Sequence, residues 1–185
     1  MADQPRYDPL EGSTFFANGM ASRPAVEGAV ARGQLRTDTA FYEGKQAGEL
    51  VDTFPLRAVA AKLNLEGDDR QQATQVLERG QQRFEIYCAP CHGRTGQGNG
   101  MVVARGFPAP PSFHSDRLRA ARDGHFFDVA TRGFGRMNSY AAQVSPEDRW
   151  AIVGYIRALQ LSQHADASSL TDEDRRKLAA GGAEP

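Results

Sequence analysis

Apolar side chains recur at helical spacing through the middle of the chain, and they predict a mainly α-helical core. A long helix is expected over residues 70–87, where one face carries Val76, Leu77, Phe84 and Tyr87. A shorter helix is predicted over residues 123–132, with its apolar face formed by Phe126, Phe127, Val129 and Ala130. Another short helix is expected around Leu56–Leu65.

The last core helix has a clearly marked beginning. Ser145 is a typical N-cap, Pro146 fits the first helical position, and Asp148 completes a pattern similar to a capping box. The apolar face that follows runs to about Gln160 and consists of Trp150, Ile152, Val153, Ile156 and Leu159.

The first 69 residues lack this periodicity. Prolines and glycines interrupt them, yet they are too apolar for a disordered tail, with Phe15, Phe16, Val26, Val30, Leu35, Phe41, Tyr42 and Phe54. An arm laid over its own domain or over another subunit would account for both properties. We therefore predict three parts: an extended arm over 1–69, a core domain over 70–164, and a charged tail over 165–185 with a short helix, Asp172–Ala180, after a Thr171 cap.

Both cysteines of the chain lie in one string, Cys88-Ala89-Pro90-Cys91-His92. This is the attachment signature of a c-type haem, in which each thiol adds to a haem vinyl group and the histidine is the proximal iron ligand. A disulfide across two residues would be strained and would leave His92 without a role. A zinc site needs about four ligands, and the sequence has no second cysteine pair or histidine pair. A thioredoxin-like motif needs a βαβ context, which this sequence lacks. One motif predicts one covalent haem.

The second axial ligand decides the chemistry, because a free position implies ligand binding or peroxidase-like activity and a filled one implies electron transfer. Met137 is the preferred candidate, since it lies 45 residues after His92 in a glycine-rich loop before the last core helix. A methionine there raises the reduction potential and closes the iron to small ligands. The other candidates are Met101, His114, His125 and His164.

Further residues are expected near the haem. The prolines of residues 107–113 exclude a helix, and a carbonyl of this segment, that of Pro111, is expected to accept the Nδ1–H of His92. Arg105 is a candidate for neutralising a haem propionate. For Tyr140 and Trp150, a propionate hydrogen bond or ring contact and ordinary packing both stay open. Residues 93–100 are expected to form a flexible loop.

Charge and hydropathy limit which partners and which cellular location we expect for the protein. The 22 basic and 23 acidic residues give a net charge of −1, which argues against a nucleic-acid partner. Residues 80–164 carry ten arginines and six acids, a balance suited to an acidic partner as well as to ordinary solubility. There is no run of about twenty apolar residues and no visible signal peptide. Because c-type haem is attached outside the cytoplasmic membrane, we expect a trimmed mature form, with a lipid-bearing cysteine as a candidate upstream anchor.

The haem-bearing segment resembles class I cytochromes c. The resemblance covers residues 80–160 and rests on Cys88–His92, the string Pro110-Pro111-Ser112-Phe113, and Met137 before a tryptophan-bearing helix. It implies a helical fold around one haem. Many such proteins have a proline directly after the methionine ligand, whereas this chain has Asn138.

The arm narrows the resemblance to the monohaem cytochrome subunit of bacterial alternative complex III. The similar strings are Pro9-Leu10-Glu11 with Phe15-Phe16, Arg23-Pro24, Val30-Ala31-Arg32-Gly33, Phe41-Tyr42-Glu43-Gly44-Lys45, and Asp148-Arg149-Trp150-Ala151-Ile152-Val153 followed by Ala158-Leu159-Gln160. This resemblance implies an electron-transfer subunit with no bond chemistry of its own, at the periplasmic face of the inner membrane and often lipid-anchored. Its partners would be a multihaem cytochrome, an iron–sulfur subunit, and a terminal oxidase or soluble acceptor. A freely diffusing cytochrome and an open-site haem enzyme or sensor are the alternatives.

Overall fold

The structure is a computed structural model that describes residues 4–8, 10–23, 26–32, 34–166, 168 and 170–181. The chain divides into two compact units between Arg36 and Thr37. Three residues that carry the arm's resemblance, Pro9, Pro24 and Gly33, lie outside the described residues.

The second unit is mainly α-helical, as predicted. Its helices are α1 (Thr39–Glu43), α2 (Leu56–Lys62), α3 (Asp69–Tyr87), α4 (Ala89–His92), α5 (Met101–Ala104), α6 (Asp116–Arg119), α7 (Asp123–Arg132), α8 (Pro146–Gln163) and α9 (Asp172–Gly181). Strands β1 (Lys45–Gln46) and β2 (Glu49–Leu50) form a small antiparallel hairpin. Among the helices within the described ranges, none has the length and apolar character that a membrane span needs.

Both long helices begin at a side-chain cap, of which the sequence analysis predicted the one at Ser145. Asp68 accepts a hydrogen bond from the Gln71 backbone N–H at 2.8 Å, and the Gln71 side chain accepts one from the Asp68 N–H at 3.0 Å, so α3 begins with a capping box. At the start of α8, the Ser145 hydroxyl accepts from the Asp148 N–H at 3.4 Å. The Asp148 carboxylate itself turns toward α3.

The core lies where α3 crosses α8. Gly80 of α3 faces the Ala151 carbonyl, and a Cβ at Gly80 would lie 2.1 Å from that oxygen, so only glycine permits this approach. Beside the crossing, Asp148 accepts two hydrogen bonds from Arg79, at 2.7 and 3.1 Å, and Arg83 lies 3.7 Å away. The close approach at Gly80 and the ion pairs of Asp148 with Arg79 and Arg83 therefore hold the two helices together.

Residues 37–69 belong to the helical unit and not to the arm, which differs from the predicted boundary at residue 69. Phe41 and Val59 are buried in the core, and the Phe41 carbonyl accepts a hydrogen bond from Trp150 Nε1 at 2.7 Å. The sequence predicted a short helix around Leu56–Leu65 but left open whether the segment lies on its own domain, because α1, the hairpin and α2 are too short to mark a continuous buried face.

The first unit is held by local hydrogen bonds. The Ser13 N–H donates to the Gly19 carbonyl at 2.9 Å, closing a loop, and Arg23 donates to Asn18 Oδ1 at 2.8 Å. No helix occurs among the described residues of 4–36. Large apolar side chains stay exposed along this segment: Tyr7, Leu10, Phe15, Met20, Val26, Val30 and Leu35.

Candidate functional site

The two cysteines and His92 share one tight turn. Cys88 ends α3 and is also the N-cap of α4, and its carbonyl accepts from the backbone N–H groups of Cys91 and His92 at 3.1 and 2.9 Å. Both thiols are free and partly buried. Burial, with Cys91 adding to it, raises the pKa of Cys88 to about 12, so this thiol is protonated and uncharged at neutral pH.

The imidazole of His92 packs flat on the Phe113 ring, with the centroids 4.6 Å apart and the planes inclined by 12°. Burial lowers the pKa of His92 to about 4, because a charged ring would lose its hydration. The ring is therefore neutral at physiological pH. Its Nδ1 is buried and has no hydrogen-bond partner among the described residues. The hydrogen bond that Nδ1–H was expected to donate to the Pro111 carbonyl is therefore not formed.

Residues 93–100 form a tightly packed loop and not the flexible one that the glycines suggested. The Gly98 N–H donates to the His92 carbonyl at 2.7 Å, and the Gly100 N–H donates to the Cys91 carbonyl at 3.0 Å. A Cβ at Gly100 would lie 2.2 Å from the Pro90 carbonyl oxygen. The glycines therefore let the backbone press against the cysteine turn, and their use here is close approach rather than mobility.

Met137 stands at the end of a closed four-residue turn. Its backbone exchanges two hydrogen bonds with Phe134, both 2.9 Å long, and its side chain is half-buried. The loop returns to α7 through Ser139, whose hydroxyl donates to the Thr131 carbonyl at 2.6 Å, and through the Tyr140 N–H, which donates to the Ala130 carbonyl at 3.0 Å. These hydrogen bonds order the loop, although Asn138 stands where many class I cytochromes c have a proline.

Tyr140 connects this loop with the cysteine turn. Burial raises the pKa of the Tyr140 hydroxyl, and electrostatic interaction with Cys91 and Cys88 raises it further. Its ring also meets the edge of Tyr87, with the centroids 6.5 Å apart. Because Tyr87 directly precedes Cys88, this ring contact brings Tyr140 close to the predicted attachment site.

Trp150 and Arg105 were both considered as haem contacts, and the structure gives them different surroundings. Trp150 is fully buried, stacks on Phe127 at 4.5 Å, and commits its N–H to the Phe41 carbonyl, so that group is not available to a propionate. Arg105 is exposed at the end of α5, and its side chain forms no ion pair with any described residue. Its assignment to a propionate stays a prediction.

The alternative axial ligands have other surroundings. His114 is buried, its Nε2 lies 2.7 Å from the Thr95 carbonyl, and its ring stacks on that of exposed His164 at 6.0 Å. Met101 is 63% exposed. His125 meets Phe126 edge to face, and burial followed by the charge of Arg117 lowers the pKa of its ring. Nothing in these contacts singles out any of the four as a ligand.

The residues present fit a c-type haem. Two free thiols and an imidazole stand on one turn, and burial keeps the imidazole neutral, the form in which a histidine binds a metal. His92 would bind the iron and Cys88 and Cys91 would hold the porphyrin. No group of three or more His, Cys, Asp or Glu side chains that could hold a metal ion by themselves occurs in the described part of the chain.

Comparisons with known proteins give a family match for part of the helical unit. Residues 75–156 match the family model described as cytochrome c oxidase, cbb3-type, subunit III. The chain is also similar, at 24% identity and a TM-score of 0.41, to a chain of the Kuenenia stuttgartiensis reducing HAO-like protein complex, covering 46% of this chain and 44% of that one. It therefore spans less than half of that chain's length. No curated protein matches.

The fold and the family model together define a cytochrome c domain with a mainly α-helical fold. Residues 75–156 thus form a cytochrome c domain, and such a domain implies haem-based electron transfer.

Two contacts at the site were not anticipated from the sequence. Phe113 was noted only as part of the proline segment, and its stacking on His92 depends on a fold that returns residue 113 to residue 92. The bond between His114 and Thr95 likewise joins two loops. The sequence carries one weak signal for the first contact, an aromatic residue two positions after the proline pair Pro110-Pro111.

Proposed function

We propose that the chain is a monohaem electron-transfer subunit with one covalent haem, axially held by His92 and Met137. The observation that carries this proposal is that the neutral imidazole of His92 stands on the same turn as two free thiols. The turn at Met137 is closed by backbone hydrogen bonds and is joined to α7 through the Tyr140 N–H, and it would present the Met137 thioether as the second ligand. When bound, the haem would supply reversible one-electron chemistry.

The protein's own residues hold the site in one geometry. The bonds from Gly98 and Gly100 to the His92 and Cys91 carbonyls keep the proximal turn fixed, and the Phe113 ring limits rotation of the imidazole. A site held by packed groups changes little on electron transfer, which suits a relay rather than a catalyst.

We further propose that the subunit works in a membrane quinol-oxidising complex of the alternative complex III type, at the periplasmic face. The arm supports this, because seven large apolar side chains of residues 7–35 are exposed and Leu10 and Phe15 are 93% and 83% exposed. The described arm has no helix, so its backbone polar groups would stay unsatisfied in lipid. A protein surface, such as the multihaem or iron–sulfur subunit, is therefore the better partner.

An oxidase subunit is a second candidate, and the match of residues 75–156 to the cbb3-type subunit III model favours it. The match lies within the helical unit and does not include the arm. Purification of the native protein with its partners separates the two: quinol-oxidising activity without oxygen reduction supports the first, and oxygen reduction by the same particle supports the second.

The proposal that the arm attaches the cytochrome to its complex is tested in the full-length protein. Leu10→Ser combined with Phe15→Ser should release the cytochrome from the native complex, while the c-type spectrum stays unchanged. Leu178→Ser is the matched control, because Leu178 is 63% exposed on α9. Purification of the native protein as a stable monomer without detergent would instead favour a diffusing carrier. A reduced-minus-oxidised spectrum without a c-type band would contradict the electron-transfer proposal.

A further inference from the structure

Two of the four histidines of the chain meet outside the haem-binding turn. His114 follows the proline segment, and His164 is the C-cap of α8. Their rings are nearly parallel, with the planes inclined by 16° and the centroids 6.0 Å apart. The two residues are far apart in the sequence, so the fold brings these imidazoles together.

The ring of His114 is held in one orientation. The residue is 8% exposed, and its Nε2 donates a hydrogen bond to the Thr95 carbonyl at 2.7 Å. A carbonyl oxygen only accepts, so Nε2 carries a proton, and in the neutral ring the lone pair lies on Nδ1. Histidines that bind metals through one ring nitrogen typically donate the other N–H to a carbonyl or carboxylate in this way.

The Nδ1 atom of His114 is buried and has no hydrogen-bond partner in the part of the chain that the structure describes. Polar side chains close to it in the fold bond to one another. The Ser112 hydroxyl accepts from the His114 backbone N–H at 3.2 Å and donates to Gln97 Oε1 at 3.3 Å, and the Gln97 amide donates to Gln163 Oε1 at 2.8 Å. The lone pair of Nδ1 is therefore available to a ligand from outside the chain.

His164 can supply a second nitrogen beside it. Zinc–imidazole bonds are about 2.0–2.1 Å long, which places two nitrogens of a tetrahedral site about 3.3 Å apart. The His164 side chain is exposed at the end of α8, and exposed side chains change rotamer rapidly. Rotation of this one ring is enough to close the distance, so the buried His114 ring can keep its bond to Thr95.

We propose that His114 Nδ1 and a ring nitrogen of His164 bind a divalent transition-metal ion of the zinc and copper class, with water completing the coordination. Imidazole nitrogens select these ions over Mg²⁺ and Ca²⁺, which prefer oxygen. With two protein ligands the site differs from a group of three or more, of which the described residues contain none. The inference goes beyond the proposed electron-transfer function and does not depend on it.

A bound ion would connect two parts of the helical unit. His114 is joined to the loop of residues 93–100 through Thr95, and His164 ends α8. The bond between Gln97 and Gln163 already links the same loop and the same helix. The ion would strengthen this link, because a ligand that binds only the folded protein stabilises it.

The site is tested by calorimetric titration of the full-length, haem-bearing protein with Zn²⁺. We expect one ion per chain and a weaker affinity at low pH, where protons compete for the imidazoles. His164→Gln should lower the affinity about tenfold or more, whereas His164→Asp keeps a zinc-binding oxygen and should retain part of it. Because His164 is exposed, neither substitution removes a core contact.

His125→Gln is the matched control, since His125 lies on α7 and contacts Phe126 instead of another histidine. It should bind Zn²⁺ as the unaltered protein does. No binding by the unaltered protein, equal loss in His125→Gln and His164→Gln, or effective competition by Mg²⁺ would each overturn the proposal.

The cysteine turn is the rival zinc site if its thiols are not joined to haem. Binding that persists in His164→Gln and is lost when the thiols are alkylated would assign the ion to Cys88 and Cys91 and overturn the histidine site. Binding that is lost in His164→Gln supports the site whether or not the protein carries haem. A missing c-type spectrum contradicts only the proposed electron-transfer function.

Thermal unfolding gives a second measurement on the same proteins. Zn²⁺ should raise the unfolding temperature of the unaltered protein and of His125→Gln, and it should leave that of His164→Gln unchanged. An equal rise in all three would place the ion elsewhere and contradict the link between the loop and α8.

Discussion

The His92 imidazole and the Phe113 ring are stacked, 4.6 Å apart and nearly parallel. Phe113 is 8% exposed, and its backbone N–H donates to the Gly96 carbonyl at 2.9 Å. One residue thus supports the proposed iron ligand from its ring and the adjacent loop from its backbone. The prolines before Phe113 restrict the backbone and so help to fix the position of this residue.

Replacement of Phe113 by alanine should lower the free energy of unfolding of the haem-bearing protein by about 3 kcal/mol, because a buried aromatic side chain is lost and a cavity remains. Denaturant titration followed by the haem absorbance measures this. Phe113→Leu, which keeps most of the volume, should cost about 1 kcal/mol. Equal losses for the two variants would contradict a packing role for the ring.

Met137→Ala should open the iron of the ferrous protein to carbon monoxide and lower its reduction potential, because a thioether ligand stabilises the reduced state. Carbon monoxide difference spectra and a redox titration measure the two effects. Met101→Ala is the control, since Met101 is 63% exposed and should change neither property. Binding of carbon monoxide by the unaltered protein would favour the open-site enzyme or sensor instead.

Cys91→Ser should leave the haem attached by a single thioether, and Cys88→Ser combined with Cys91→Ser should leave none. The physical reason is that both thiols are free and stand on one turn with His92. Haem staining after denaturing electrophoresis measures attachment, and the mass of the unaltered protein should exceed that of the polypeptide by one haem. Staining of the double variant would contradict covalent attachment through these thiols.

Gly100→Ala should destabilise the protein by about 2 kcal/mol, because its Cβ would lie 2.2 Å from the Pro90 carbonyl oxygen and would push α5 off the cysteine turn. Gly48→Ala is the control for backbone strain alone: Gly48 has φ +85° with open space around it, and about 1 kcal/mol is expected. Thermal unfolding compares the two. A smaller loss at Gly100 than at Gly48 would contradict close packing of the loop.

Trp150→Phe should cost about 2 kcal/mol, since it removes the 2.7 Å hydrogen bond and leaves the Phe41 carbonyl buried without its donor. The aromatic stack on Phe127 is preserved in this variant. We expect an unchanged haem spectrum and reduction potential. A shifted potential with little loss of stability would indicate contact with a propionate.

The helices were predictable where one face repeats over several turns. The span Asp123–Arg132 agrees with its prediction, and α3 and α8 differ from theirs by only a few residues. Residues 37–69 were not recognised as part of the helical unit, because short elements carry no measurable period. The loop of residues 93–100 was misjudged for another reason: glycine frequency alone does not distinguish freedom of the backbone from close approach.

The sequence by itself determined the chemistry of the site, because the two thiols and the imidazole are adjacent in the chain and their spacing is a local property. It also determined the long helices and their caps, which depend on neighbours within a few residues. Only the tertiary structure decided what surrounds His92, since Phe113, Tyr140 and the glycine loop reach it through long-range packing. The same packing committed Trp150 to the Phe41 carbonyl, a partner 109 residues away that no local pattern could reveal.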